Sequence, residues 1–465
     1  MSGLGVKIAA ARTVGELARR AGRGGGTSLP GKVLMRMEPH AIAELASRLT
    51  RGSVVVSATN GKTTTAGMIA SILQRSEIPI VHNRAGANMA GGIASTLLAA
   101  ARSRGEIDGE LGLFEVDEFW LGRVCTELRP RAILLSNLFR DQLDRYGELD
   151  TIADRWAQVV ATLPQGARLV LNADDPLIAD LGREFPGVSY FGVEDPAMAL
   201  PEMQHASDSK HCRRCGAAYV YDAVYLGHLG HYHCPNCGQR RPDPEVAAEQ
   251  ITLEGTRAAA FTLRTPGGSI RVQLPLPGLY NVYNALGAAA LCLQLGISLA
   301  TVADGLEAVT ASFGRAETVS VDGVELSILL IKNPAGANEV LRTVTLEAGE
   351  LDLLAVLNDN TADGKDVSWV WDADFELLAG RVRHVTCAGT RAAELAVRLK
   401  YAGVPVERLE VEPHLAAALD RALARTANHR LFALPTYTAL LELRDELSAR
   451  GYVEQFWQPR EASAE

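Results

Sequence analysis

The sequence predicts an α/β fold in two parts: a large parallel-sheet domain with a phosphate-binding loop and an inserted four-cysteine zinc ribbon, then a smaller α/β domain. Three observations carry that expectation. Short β-rich runs alternate with helical stretches from Val54 to about Gly192 and again from Leu353 to Ala433, the pattern of parallel sheets covered by helices. The apolar run 54–56 leads through Ser57-Ala-Thr-Asn-Gly-Lys-Thr-Thr-Thr65 into the apolar stretch 66–73, which is the strand, glycine turn and helix start a nucleotide phosphate needs. Two C-x2-C pairs, Cys212/Cys215 and Cys234/Cys237, interrupt the first part.

Length and charge bound the answer. The chain has 465 residues, room for about three domains at roughly 150 residues each. Its net charge of −9 gives no protein-wide basic field for nucleic acid or anionic lipid. The first forty residues set Arg12, Arg19, Arg20, Arg23 and Lys32 among small residues without the apolar core of a signal peptide. Residues 286–303, the most apolar long segment, are broken by Gln294, Ser298 and Thr301 and read as a core helix plus a turn. A cytoplasmic chain without a spanning segment is expected.

In chain order, an N-terminal segment covers 1–45 and the central ATP-binding domain 46–312, with strands expected at Val54–Val56, Ile78–Val81, Gly112–Glu115, Ala132–Leu135 and Arg168–Leu171. Ligands of such sheets sit at the C-terminal strand ends. Polar clusters fall there: 83–88, Glu115-Val-Asp-Glu118 and Ser136-Asn137. The ribbon occupies 205–244. Helices at Tyr283–Leu295 and Ala300–Val309 close the domain, and 313–465 forms the second one, with strands at Leu353–Leu357, Val382–Cys387, Arg408–Val411 and Leu431–Ala433.

In the phosphate loop, backbone N–H groups and the Lys62 ammonium would meet the phosphates and the Thr63 hydroxyl would reach Mg²⁺. Val56 stands where the commonest phosphate loop has its first glycine. ATP is the cofactor expected. In the ribbon, 18 residues separate the two knuckles, so a hairpin can bring four thiolates together around a structural Zn²⁺ with no open coordination position. His231 and His233 are alternative ligands, although four cysteines already complete the tetrahedron. Arg213, Arg214, Arg240 and Arg241 leave open a nucleic-acid-binding ribbon, which the acidic net charge disfavours.

Further motifs add a resemblance. Thr59-Asn-Gly-Lys-Thr-Thr64, Asn137 with Asp141-Gln-Leu-Asp144, Asn172-Ala-Asp-Asp175, Tyr280-Asn-Val-Tyr-Asn-Ala-Leu286 and Gly314-Arg-Ala-Glu317 are similar, in order and kind, to those of Mur ligases and folylpolyglutamate synthases. The four-cysteine insertion, with Asn333-Pro-Ala-Gly-Ala-Asn338 and Asp359-Asn-Thr-Ala-Asp-Gly-Lys-Asp-Val-Ser-Trp369, narrows the resemblance to the MurT family, the ligase-like subunits of lipid II isoglutaminyl synthases. It runs from about Leu29 to Arg450. It implies a Mur ligase central domain, a Rossmann-like C-terminal domain, and ATP-dependent amidation of the α-carboxyl of D-glutamate in lipid II, at the inner face of the cell membrane. Thr59, Asn60, Gly61, Lys62, Thr63 and Thr64 would hold the nucleotide, joined by Asn281 and Arg315, and Thr63 and Glu115 would bind Mg²⁺. Two departures stand out: Ala58 replaces a glycine usual in the wider family, and no lysine lies between Lys62 and Lys210, where that family usually has a carbamylated one. Whether one or two Mg²⁺ bind therefore stays open.

The implied chemistry converts a carboxylate to an acyl phosphate that ammonia attacks. Val385-Thr-Cys-Ala-Gly389 is one glycine short of a glutaminase nucleophile turn, so Cys387 reads as a buried residue and the resemblance implies a GatD-like partner glutaminase. Asp366 would then orient that partner's histidine as the third member of its triad; turn chemistry is the competing explanation. Two further alternatives remain: a folylpolyglutamate-synthase-like amino-acid ligase and a nucleic-acid-binding ribbon ATPase.

Overall fold

The computed structural model describes residues 3–20, 28–83, 87–102, 106–141, 149–205, 207–309, 315–427 and 429–453. Its first sheet is centred on β1 (Ser53–Ser57), a β-branched run buried on both faces, as strands of a covered parallel sheet are. β1 pairs in parallel with β3 (Leu111–Glu115) on one side and β4 (Ala132–Leu135) on the other. β2 (Ile80–His82) lies outside β3; β5 (Arg168–Asn172), β6 (Val188–Val193) and β9 (Val246–Glu254) continue beyond β4, all in parallel. The antiparallel strands β10 (Ala258–Thr265) and β11 (Gly268–Leu274) complete nine. The chain crosses from one side of β1 to the other after β3, which makes the β1/β3/β4 strand ends the ligand position of the sheet.

Helices cover both faces. α4 (Lys62–Arg75) packs with Leu279–Gln294 and Leu299–Glu307 on one side, Met68, Ile69 and Ile72 meeting Leu286 and Ala289 in one core. On the other lie α5 (Ala90–Ala100), α6 (Leu121–Leu128) and the N-terminal helices α1 (Gly3–Arg20), α2 (Leu29–Met37) and α3 (Ala41–Ala46). α2 crosses α5 at Gly31, where a Cβ would stand 2.0 Å from the Gly91 carbonyl oxygen.

The second sheet runs β12 (Arg315–Val321), β13 (Val324–Leu329), β17 (Arg430–Pro435), β14 (Leu351–Val356), β15 (Val382–Ala388), β16 (Leu409–Val411), parallel except for β12. Between β6 and β9 the chain forms the antiparallel hairpin β7 (Val220–Leu226) and β8 (Leu229–His233). No helix among the described residues is long and apolar enough to cross a membrane.

Candidate active site and four-cysteine centre

Register brings three polar strand ends together: Val56 lies opposite Glu115, and Ser57 opposite Leu135. The loop after β1 turns on Gly61, whose φ of 85° is left-handed and whose missing Cβ would meet Asn284 Oδ1 at 2.0 Å. Only glycine satisfies both conditions. Asn137 grips the loop from β4, accepting the Asn60 N–H at 2.9 Å and donating to the Asn60 carbonyl at 3.0 Å. The loop is thus held in shape with the N–H groups of the first α4 turn unpaired within the helix, an anion site by construction. Gly61→Ala is expected to combine left-handed strain of about 1 kcal/mol or more with that clash. A calorimetric titration with an ATP analogue should show clearly weakened binding; unchanged affinity would contradict this account of the turn.

Lys62 is buried, and its ammonium donates to Glu118 Oε2 at 2.9 Å, to the Thr59 carbonyl at 3.3 Å and to the Ala58 carbonyl. Burial alone would lower its pKa; Glu118, Glu115 and Asp117 around it outweigh that and hold it above the ordinary lysine value. Burial, reinforced by Asp117, pushes the Glu118 carboxyl up, and Lys62 pulls it back down. Glu115 is buried at the end of β3, its backbone clamped by Asn83 through two 2.8 Å hydrogen bonds and its Oε1 3.4 Å from Asn88 Nδ2. Three carboxylates around one ammonium suit a hard divalent cation once phosphates enter.

The cleft, about 350 Å³, lies between these strand ends and the second sheet's domain. Across it, Asn333 caps the helix Pro334–Thr345 and exchanges hydrogen bonds with Asn60 at 3.0 and 3.3 Å. Lys332 pairs with Asp141 at 2.6 Å. Thr59, Asn60, Gly61, Lys62, Thr63, Thr64 and Glu115 all line the cleft. Asn281 stands behind its wall: its side chain donates to the Pro277 carbonyl at 2.8 Å and accepts from Asn284 Nδ2 at 3.1 Å, while Tyr280, Tyr283 and Asn284 face the cleft. The helix is capped by Gly278. Arg315 begins β12, but its side chain lies outside the described residues, as do residues 142–144 of the Asp141–Asp144 motif.

Asp366 is exposed, does not line the cleft, and accepts the Ser368 N–H at 2.8 Å. The Ser368 side chain, and after it the Ser368 N–H, hold its carboxyl below the usual range. Cys387 is buried in β15, its thiol pushed up to about 12 by burial, the state of an inert cysteine.

Cys212, Cys215, Cys234 and Cys237 bring their sulfurs within 4.8 Å of one another. Thiolates at ~2.3 Å from a tetrahedral zinc are roughly 3.8 Å apart, so the donor set fits. Each knuckle closes on a left-handed glycine, Gly216 (φ 76°) and Gly238 (φ 74°), and the Ala217 N–H with the Asn236 side chain holds the Cys215 thiol down at about 6. His231 and His233 turn elsewhere, to the Val193 carbonyl at 3.0 Å and to Asp222 at 3.2 Å. Three of the ribbon's arginines dock it on the central domain: Arg213 pairs with Asp154, Arg214 with Asp180 at 2.7 Å, and Arg241 with Asp174 at 2.6 Å and Glu194 at 2.7 Å. Cys212→Ser should lose zinc and lower the melting temperature, since structural thiolates contribute folding energy; a full equivalent of metal with unchanged melting would contradict the assignment.

The MurT ligase C-terminal family matches residues 330–440 and the Mur ligase middle domain residues 56–237. The lipid II isoglutaminyl synthase (glutamine-hydrolyzing) subunit MurT of Staphylococcus aureus (strain N315) is 34% identical over 439 residues, covering 93% of this chain and 96% of its own. The chain belongs to the MurT family. The subunit of the same description from Streptococcus pneumoniae (strain ATCC BAA-255 / R6) is 33% identical, with 93% and 94% covered. Among solved structures, a pseudomurein peptide ligase type C from Methanothermus fervidus superposes with a TM-score of 0.66 at 22% identity over 86% of this chain and 79% of that one. The folylpolyglutamate synthase of Mycobacterium tuberculosis does so with 0.60 at 15%, over 89% and 96%. These two likenesses show the shared fold. As a Mur ligase of the MurT family, the chain is an ATP-dependent ligase.

Several cleft residues have partners that the sequence does not assign. Glu118, the partner of Lys62, stands three positions after Glu115 in the same acidic run, the one signal that could have found it. Asn284, against Gly61, sits in the Tyr280–Leu286 motif one helical turn past Tyr280. Lys332, Glu339 and the ribbon residues Leu226 and Leu229 carry no local signal.

Proposed function

We propose that this chain is the ligase subunit of a lipid II isoglutaminyl synthase, converting the α-carboxyl of D-glutamate in the stem peptide to the amide of D-isoglutamine, with ammonia delivered by a GatD-like glutaminase. The observation that carries this reading is a single cleft in which a buried, charged Lys62 and a preformed phosphate loop face Glu115, Asp117 and Glu118 between two domains. The loop N–H groups and Lys62 hold the phosphates; at so buried a position a fixed ammonium stabilises charge far better than in water. Thr63 and Glu115 would hold Mg²⁺, which would offset the negative charge of the phosphates. A substrate carboxylate oxygen attacks the γ-phosphorus, ADP departs, ammonia adds to the acyl carbon, and inorganic phosphate leaves with the carboxylate oxygen. Arg315 contacts the nucleotide, and Asn281 supports the site from behind its wall by accepting from Asn284 Nδ2 at 3.1 Å. Asp366, on the surface, orients the partner's histidine. The chain acts at the cytoplasmic face of the membrane, where its lipid-linked acceptor is made.

The test is mass spectrometry of lipid II stem peptide after incubation with the chain, MgATP and ammonium. A loss of about one dalton, carboxyl to amide, is expected of acyl-phosphate aminolysis. With a free amino acid added to the same mixture, a mass gain equal to that amino acid less one water would favour the folylpolyglutamate-synthase-like alternative instead.

A further inference from the structure

The ribbon's hairpin turn, Leu226-Gly227-His228-Leu229, lies at the opposite end of the hairpin from Cys234 and enters the cleft region. Leu226 and Leu229 line the cleft and belong to the same core as Phe139 and Tyr283. His228 is fully buried, its ring centroid 4.7 Å from that of Phe139. Its Nε2 is 3.4 Å from Asp175 Oδ2, and neither ring nitrogen makes a hydrogen bond. Gly227 approaches Phe139 so closely that a Cβ would stand 2.9 Å from the ring.

Phe139 is in turn fastened to the phosphate loop. Its N–H donates to the Thr59 hydroxyl at 3.1 Å, and that hydroxyl lies 3.3 Å from the Phe139 carbonyl. Asp175, beside His228, accepts the Leu138 N–H at 2.9 Å. A second link runs from the ribbon's base: Arg241 holds Asp174 Oδ1 at 2.6 Å, and Asp174 Oδ2 accepts the hydroxyl of cleft-lining Tyr283 at 2.6 Å. A module that only had to fold around a metal could dock on any surface; this one wedges an imidazole behind the loop that receives phosphate.

We propose that the ribbon tip is part of the nucleotide site: His228, wedged on Phe139, is a positioning residue for the phosphate loop, and Leu226 and Leu229 close the cleft wall around a nucleoside triphosphate. The proposal rests on the ATP-dependent reading of the cleft. The test measures the Kd of a non-hydrolysable ATP analogue with Mg²⁺ on the full chain, beside zinc content and melting temperature. His228→Ala and Leu229→Ala should each weaken binding by roughly tenfold with zinc retained, the scale of losing one well-packed aromatic or apolar contact. His228→Phe keeps the ring and should stay within about threefold of wild type. Wild-type affinity in folded, zinc-loaded His228→Ala would overturn the proposal; should that variant fail to fold, Leu229→Ala decides by the same criterion. Failure of the wild type to bind the analogue at all would overturn the ATP reading together with it.

Discussion

Lys62→Ala should abolish amide formation with glutamine and with ammonium alike. Phosphoryl transfer depends on fixed charge at the transferring group, and removing the one buried ammonium of the phosphate loop should cost about 10³-fold or more in turnover. The substitution also leaves Glu118, 2.9 Å from the lost ammonium, buried beside Asp117. Breaking one side of such a pair costs about 3–5 kcal/mol of stability. Lys62→Met with Glu118→Gln removes both charges and separates the effects: it should melt closer to wild type while remaining inactive. Near-wild-type turnover in folded Lys62→Ala would remove the phosphate loop from the chemistry.

Asp366→Asn should divide the two nitrogen sources. Asp366 is exposed and outside the cleft, so its replacement leaves carboxylate activation untouched. Its hydrogen bond from the Ser368 N–H at 2.8 Å is one asparagine also makes, at a stability cost of about 1 kcal/mol or less. If Asp366 orients a histidine on the partner glutaminase, glutamine-driven amidation falls by up to about 10⁴-fold, and ammonium restores it. The measurement is amidated lipid II formed by the two-chain complex with each source. Equal loss with both would place Asp366 in the ligase reaction; no loss with either would leave it a turn residue.

Much of the architecture was legible because it is local. The β-rich runs of both sheets are short, apolar and set between helical stretches, and the phosphate loop and the cysteine knuckles are contiguous in sequence. What escaped is what the fold brings together from afar. Arg213, Arg214 and Arg241 appear in the sequence as a basic cluster; their partners Asp154, Asp180, Asp174 and Glu194 lie 34 to 67 residues earlier. Nothing near Lys332 announces Asp141, 191 residues away, or that this pair spans the cleft. The N-terminal helices were legible in principle: Leu4, Ile8 and Ala11 are buried at helical spacing, a signal obscured by the alanines and arginines around them. Nor does the Tyr280–Leu286 motif disclose which of its members face the cleft: Tyr280, Tyr283 and Asn284 line it, while the Asn281 side chain turns to the Pro277 carbonyl behind the wall.

The most direct test of the ligase chemistry follows an oxygen atom. Lipid II carrying ¹⁸O at both oxygens of the α-carboxyl of its D-glutamate is incubated with the chain, its glutaminase partner, glutamine and MgATP, and the inorganic phosphate is analysed by mass spectrometry. Passage through an acyl phosphate transfers one ¹⁸O to phosphate for every amide formed. Amidated product accompanied by unlabelled phosphate would contradict carboxylate activation in this cleft.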